Sequence, residues 1–139
     1  MEKARDWMSR DVVTVDPADR ARVAIELMRQ RGLRHLFVKS KAGELRGLIS
    51  DRDVVRVVLQ NPGRVFDLDG CTTSDIMTPC PLITIGPDDS LGHAADLLLE
   101  HKISALPVIH EGEVEGVLTT SDLLRAARNE EPAWLRQGT

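Results

Sequence analysis

The sequence predicts an α+β fold made of two β-α-β-β-α repeats that pack with pseudo-two-fold symmetry. The first indication is a duplicated motif: Gly47–Asp53 (Gly-Leu-Ile-Ser-Asp-Arg-Asp) returns as Gly116–Asp122 (Gly-Val-Leu-Thr-Thr-Ser-Asp), 122 − 53 = 69 residues later. The second is that the agreement extends outward from this motif almost without gaps. The third is that each copy has apolar residues at helical spacing, with short extended runs before and after them. A repeat of this size indicates two similar structural units.

The duplication divides the 139 residues into four segments. We expect a first repeat at 6–60, a linker at 61–74, a second repeat at 75–129 and a tail at 130–139. The linker is rich in turn-forming residues. The tail contains Trp134, and the sequence leaves open whether it is frayed or packs on a partner chain.

Each repeat begins with a lead-in and an extended run, followed by a Pro-Asp turn and an amphipathic helix. The lead-ins and runs are residues 6–9 with 12–14 and residues 75–78 with 82–84. The apolar residues at helical spacing are Ala21, Ala24, Leu27 and Met28 in the first copy, and Leu91, Ala94, Ala95, Leu97 and Leu98 in the second. Asp19 and Ser90 are the predicted N-caps of these helices.

A hairpin and a second helix complete each repeat. The predicted hairpin strands are Leu36–Lys39 with Arg46–Ile49, and Leu106–Ile109 with Val114–Leu118. The predicted closing helices are Asp53–Leu59 and Asp122–Ala127.

The Ser/Thr-x-x-Asp end of the duplicated motif has two interpretations. Ser50 with Asp53, and Thr119 with Asp122, can form capping boxes that only begin a helix. Alternatively, the helix N-terminus and the hydroxyl bind a phosphate, while the ionised carboxylate accepts the hydroxyl protons of a ribose. On the second interpretation, the glycine that opens the motif lets a flat base approach the strand.

The order, spacing and duplication of these elements resemble a pair of CBS domains, the cystathionine β-synthase domain that pairs as a Bateman module. The resemblance rests on the Met-Ser/Thr lead-in, the Ala/Leu-rich helix, the Leu-x-Val strand and the Gly-x-x-Ser/Thr-x-x-Asp close, over residues 6–127. It implies a stand-alone regulatory module that binds AMP, ADP or ATP, or else S-adenosylmethionine or NAD, in clefts between the repeats. It further implies conformational signalling, face-to-face homodimers and a regulated protein that the sequence does not name.

The resemblance also implies the site residues, with each cleft taking its lead-in from the opposite repeat. Asp53 and Asp122 would hold the ribose, and Ser50 and Thr119 the phosphate. The first cleft would comprise Asp53, Ser50, Arg52, Arg34, His35, Thr78, Pro81 and Ile83. The second would comprise Asp122, Thr119, Ser9, Val12 and Val13.

Two departures from the family pattern predict unequal clefts. The family usually has a proline before the strand valine. The second repeat keeps it as Pro107, whereas the first repeat has Phe37 there, which alters the wall of the first cleft. Ser104-Ala105 replace Arg34-His35 in the second repeat. Residues 1–69 carry 14 Lys+Arg against 11 Asp+Glu, and residues 70–139 carry 4 against 11. We therefore expect the Asp53 cleft to prefer phosphorylated ligands, although Arg34 and His35 taken alone suit a solvated strand start.

Several function classes are disfavoured by composition and spacing. No nucleophile, base and orienting group occur together, so we expect a non-enzymatic protein. His93 and His101 are eight residues apart on one helix, too far for a chelating pair, and no metal site is expected. An aromatic content of 3% without tyrosine disfavours nucleic-acid binding. No apolar run reaches membrane-spanning length, and Cys71 and Cys80 suit reduced thiols in the cytoplasm.

One alternative function of another class remains open. On that interpretation the repeats serve ligand-free dimerisation or protein interaction as a scaffold, and Ser/Thr-x-x-Asp only caps helices. Ligand-dependent thermal stability distinguishes the two.

Overall fold

The computed structural model describes residues 2–60 and 68–137, so the first half of the predicted linker and the end of the tail lie outside the described residues. In chain order the elements are α1 (Ala4–Trp7), β1 (Thr14–Val15), α2 (Ala21–Arg31), β2 (His35–Lys39), β3 (Leu45–Ser50), α3 (Asp51–Gln60), α4 (Thr73–Ile76), β4 (Thr78–Pro79), α5 (Leu91–His101), β5 (Ala105–His110), β6 (Glu113–Thr119), α6 (Thr120–Ala127) and α7 (Ala133–Gln137). They form two compact units, residues 13–82 and residues 1–12 with 83–139. The α+β fold class is confirmed.

The unit of residues 13–82 contains a four-stranded sheet in the order β1-β2-β3-β4. β1 is parallel to β2, β2 and β3 form the predicted antiparallel hairpin, and β4 runs antiparallel to β3. The apolar face of α2 covers this sheet. Its core comprises Val15, Ala21, Ala24, Met28, Leu36, Val38, Ile49 and Ile76. The helical and strand periodicity of the sequence therefore predicted most of the buried residues of α2 and of the β2–β3 hairpin.

The unit of residues 1–12 and 83–139 is built around the β5-β6 hairpin and α5. Its core comprises Ala4, Trp7, Met8, Ile85, Ala94, Leu98, Leu106, Val108 and Leu118. The extended run predicted at 82–84 is not a strand. The chain instead makes an isolated parallel bridge one residue later, at Ile85 opposite Val108.

Each lead-in pairs with a strand of the other repeat. Thr78 and Pro79 form β4 and pair with β3 of the first repeat. Ser9 pairs with Val117 in β6 of the second repeat through two backbone hydrogen bonds, of 2.9 and 3.0 Å. As a result, the lead-in of the second repeat lies next to the first motif, and the lead-in of the first repeat lies next to the second motif.

This pairing gives the glycines of the motif a structural reason. A Cβ on Gly47 would lie 2.4 Å from the Thr78 carbonyl oxygen, and a Cβ on Gly116 would lie 2.4 Å from that of Ser9. Glycine is required here because the lead-in backbone approaches the strand closely. The approach of a flat base is not needed to account for it.

The two N-cap predictions had different outcomes. Ser90 is the N-cap of α5, with its side chain accepting from the His93 backbone N–H at 3.1 Å. Asp19 is not the N-cap of α2, which is Arg20. The Asp19 carboxylate instead accepts from the Asp16 backbone N–H at 3.0 Å and closes the preceding turn.

The described part of the tail packs on its own chain. The indole Nε1 of Trp134 donates to the Asp6 carbonyl oxygen at 2.8 Å, and the Arg10 guanidinium lies 4.7 Å from the ring centroid. The geometry is that of a cation–π contact. The tail thereby fixes the lead-in of the first repeat.

Across residues 2–60 and 68–137, no helix combines the length and apolar character needed to cross a membrane.

Candidate functional site

Asp53 lies in the first turn of α3, where both oxygens of its buried carboxylate accept hydrogen bonds. Oδ2 accepts from the Ser50 backbone N–H at 2.8 Å and from Ser50 Oγ at 3.0 Å. Oδ1 accepts from Thr78 Oγ1 at 3.0 Å and from the guanidinium of Arg56. Ser50 and Asp53 thus satisfy each other as a capping box would. The second oxygen faces groups from outside the box.

Asp122 repeats this arrangement at the start of α6. Oδ2 accepts from the Thr119 backbone N–H at 2.8 Å and from Thr119 Oγ1 at 3.0 Å, in a capping box. Oδ1 accepts from Arg125 at 3.1 Å. Among the described residues, no lead-in side chain donates to Asp122 as Thr78 does to Asp53. The two carboxylates therefore accept the same capping hydrogen bonds at Oδ2 and differ in the donors to Oδ1.

Burial has an electrostatic consequence at Asp122, which is only 2% exposed. Burial raises the pKa of the Asp122 carboxyl above its ordinary value, and the hydrogen bonds from Thr119 and the charge of Arg125 only partly oppose this. A desolvated carboxylate is stabilised by each additional donor. A ligand that brings hydroxyl donors therefore has a favourable partner here.

Charged groups gather beside Asp53. His35 begins β2 and is partly buried, and this burial lowers its imidazole pKa. The carboxylates of Asp51 and Asp53 act in the opposite direction, whereas Arg34 and Arg52 lower the pKa further. His35 pairs with Ser50 across the β2–β3 hairpin, which places it beside the start of α3. The structure brings the predicted residues Arg34, His35 and Arg52 to the same end of α3.

The second repeat has the same backbone geometry without these charges. The Arg34 carbonyl accepts from the Asp51 N–H at 3.1 Å, and the Ser104 carbonyl accepts from the Thr120 N–H at 3.0 Å. Arg34 and Ser104 are therefore structural counterparts. The positive charge expected near Asp53 has no counterpart at this position in the other unit.

The remaining predicted residues are spread over the two units. Pro81 is exposed in the unit that holds Asp53, whereas Ile83 packs on the core of the other unit. Val13 packs on the core of the unit of residues 13–82, and Val12 is the last residue of the N-terminal segment that joins the other unit. Ser9 lies on β6, where its backbone pairs with Val117. Their roles in binding stay predictions.

Arg125 is the residue that we missed in the sequence. Arg56 and Arg125 each lie three residues after the motif aspartate and form an ion pair with it. The signal was present, because 125 − 56 = 69, the same offset that relates the two motifs. The full duplicated pattern is Ser/Thr-x-x-Asp-x-x-Arg.

No group of three or more His, Cys, Asp or Glu side chains with metal-binding geometry occurs within the described part of the chain. What the two motifs offer chemically is a buried carboxylate at a helix N-terminus, which accepts hydrogen bonds and is held by exchangeable donors.

Comparison with known proteins identifies the family. The sequence model of the CBS domain matches residues 4–60 and 74–129. The CBS domain-containing protein YhcV of Bacillus subtilis (strain 168) is 31% identical over 124 residues, which cover 88% of this chain and 84% of YhcV. Inosine-5'-monophosphate dehydrogenase of Korarchaeum cryptofilum is 34% identical over 124 residues, but this chain spans only 24% of the enzyme's length.

Solved structures agree with this assignment. A conserved protein of Pyrococcus horikoshii has a TM-score of 0.80 and 29% identity, covering 92% of this chain and 96% of its own. The CBS domain pair of protein MJ0100, solved with 5'-methylthioadenosine and S-adenosyl-L-methionine, has a TM-score of 0.77 at 24% identity, covering 91% of this chain and 99% of its own. This second likeness concerns the fold. The chain belongs to the CBS domain family and carries two CBS domains in tandem.

Proposed function

We propose that this chain is a cytoplasmic regulatory module that binds an adenosyl ligand through Asp53 and Asp122, with AMP, ADP or ATP as the ligand at Asp53. The observation that carries the proposal is the set of side-chain hydrogen bonds to Oδ1 of each buried carboxylate. Capping occupies Oδ2 in both motifs, whereas Oδ1 faces side chains that a ligand can displace. A helix cap alone requires no such second set of donors.

The ribose would donate its hydroxyls to Oδ1 of Asp53. A neighbouring phosphate would then meet the positive end of the α3 dipole together with Arg34 and Arg52. The MJ0100 domain pair, which shares the fold, binds two adenosyl compounds, which supports the ligand class. S-adenosylmethionine and NAD remain in the proposal as further candidates.

The module would act by changing conformation rather than by catalysis. A ligand shifts an equilibrium between two arrangements only if it binds one of them more tightly. We propose that a homodimer transmits this shift to a regulated protein.

Isothermal titration with AMP, ADP, ATP, S-adenosylmethionine and NAD tests the proposal. We expect at least one adenine nucleotide to bind, and the melting temperature to rise with its concentration. Absence of binding by all five at millimolar concentration would remove the sensor function. Inosine monophosphate, which has the same sugar and phosphate but a different base, is the matched ligand control.

One observation favours a protein-interaction scaffold as the second candidate. α3 exposes three apolar side chains, Val55, Val58 and Leu59, with exposed fractions of 57%, 47% and 73%. Such a row is typical of a surface that contacts another chain. A scaffold predicts that Leu59→Glu alters association while no adenosyl ligand changes the melting temperature. A sensor predicts the ligand-dependent shift in the wild type.

A further inference from the structure

The arginine one turn after each motif aspartate occupies the oxygen that a sugar would need. Arg56 donates to Oδ1 of Asp53, and Arg125 donates to Oδ1 of Asp122 at 3.1 Å. Both carboxylates are buried, whereas the arginine side chains remain 52% and 29% exposed. Each arginine is thus a movable group on a fixed carboxylate.

The two carboxylates differ in how many donors they already accept. An ionised carboxylate has about four acceptor positions. Asp53 accepts from the Ser50 N–H, Ser50 Oγ, Thr78 Oγ1 and Arg56, which fills them. Asp122 accepts from the Thr119 N–H, Thr119 Oγ1 and Arg125, which leaves one position open among the described residues.

We propose that Arg56 and Arg125 determine which class of adenosyl ligand each aspartate accepts. Arg56 must leave Oδ1 before ribose hydroxyls can bind Asp53, and the released guanidinium then needs another anion. A phosphorylated ligand supplies that anion and a neutral nucleoside does not, so Asp53 selects nucleotides over nucleosides. This inference rests on the proposed adenosyl-binding function.

Asp122 should not require a phosphorylated ligand. A hydroxyl can use its open acceptor position while Arg125 stays in place, so a ligand without phosphate is not penalised. The surroundings agree, because Ser104 and Ser121 stand where the first repeat has Arg34 and Arg52. The two repeats would therefore divide the ligands, with nucleotides at Asp53 and uncharged adenosyl compounds at Asp122.

The test compares AMP with adenosine by isothermal titration against Arg56→Gln in an Asp122→Asn background, which isolates the first site. In that background with Arg56 intact, we expect AMP to bind at least about tenfold more tightly than adenosine, the effect of one charge-assisted hydrogen bond. Arg56→Gln should weaken AMP and strengthen adenosine, reducing the AMP-to-adenosine affinity ratio by about tenfold or more. Arg56→Lys, which keeps the charge, should retain most of the preference.

Arg29→Gln is the matched control, because Arg29 forms the same kind of i,i+3 ion pair with Glu26 on the exposed face of α2. It should leave the ratio unchanged. An unchanged ratio in Arg56→Gln, or an equal loss for both ligands, overturns the inference while leaving adenosyl binding in place. If Arg56→Gln does not fold, Arg56→Lys decides, since loss of the preference despite the retained charge contradicts the anion requirement. Binding of neither ligand by the wild type would overturn both proposals.

Discussion

Thr78 Oγ1 donates a hydrogen bond of 3.0 Å to Oδ1 of Asp53, although 25 residues separate them in the chain. Thr78 belongs to the lead-in of the second repeat, and Asp53 closes the motif of the first. The bond therefore places a residue of one repeat against the candidate ligand-binding carboxylate of the other. Anything that moves β4 also changes the donors around Asp53.

Removing the Thr78 hydroxyl should weaken the unit of residues 13–82. Thr78→Val keeps the shape of the side chain but leaves Asp53 with one donor fewer, and we expect a loss of about 1 kcal/mol in the free energy of unfolding. Urea denaturation measures this loss. Ser9→Ala in the counterpart lead-in should cost less, because the Ser9 hydroxyl makes only a 3.5 Å contact with the Asp11 N–H. Equal losses in the two variants would contradict the special role of Thr78.

Neutralising the two motif aspartates should affect AMP unequally. Asn retains a side-chain oxygen for capping, so Asp53→Asn and Asp122→Asn form a matched pair. We expect Asp53→Asn to lower AMP affinity by about 10- to 100-fold, the value of hydrogen bonds to a charged group, and Asp122→Asn to have a smaller effect. Titration calorimetry measures both. The reverse order would overturn the predicted preference of the Asp53 cleft for phosphorylated ligands.

The motif glycines should tolerate no side chain. In Gly47→Ala and Gly116→Ala the new Cβ would lie 2.4 Å from a lead-in carbonyl oxygen, so the paired segment must shift and the melting temperature should fall. Gly92→Ala is the control, because it lies in α5 with only Ser90 Oγ within 4 Å, at 3.8 Å. There alanine should stabilise the helix by about 0.5–1 kcal/mol. A melting temperature that does not fall in Gly47→Ala and Gly116→Ala would refute the close approach of the lead-ins.

Stability should decline in mild acid through His35. Burial lowers the imidazole pKa in the folded state, so the unfolded chain takes up the proton first as the pH falls. The stabilising effect is complete above the unfolded-state pKa of about 6.5 and is lost as the pH falls towards the lower folded-state pKa. Urea denaturation between pH 8 and pH 5 should show a smaller decline for His35→Gln than for the wild type.

The control for this pH dependence is His101→Gln, at the exposed end of α5. It should leave the decline as it is in the wild type. A decline of equal size in His35→Gln would show that other groups cause it.

Local patterns predicted the elements well and the long-range contacts poorly. The periodicity of Ala21, Ala24 and Met28 predicted the buried face of α2, and Ser90 was correctly identified as an N-cap, because both depend on neighbouring residues. Asp19 was wrong as an N-cap because its carboxylate closes the turn before the helix instead. Propensity alone does not distinguish these two uses of an aspartate.

The candidate site shows the same division. Ser50 and Asp53 were predictable as a pair because they are three residues apart at a strand–helix junction. The role of Gly47 was not, because it depends on a carbonyl oxygen from residue 78, brought there by β4 pairing. Arg125 was detectable by the repeat offset, but its contact with a buried carboxylate became visible only in the folded chain.

The most direct measurement of the central claim is a double-mutant cycle between the Asp53 carboxylate and the ribose hydroxyls. AMP and 2',3'-dideoxy-AMP are titrated into the wild type and into Asp53→Asn. If Asp53 binds the sugar, removing either partner should weaken binding by about 10- to 100-fold, and removing both should cost little more than removing one. Equal affinities of the wild type for the two nucleotides, or losses that simply add, would show that Asp53 caps its helix without binding ribose.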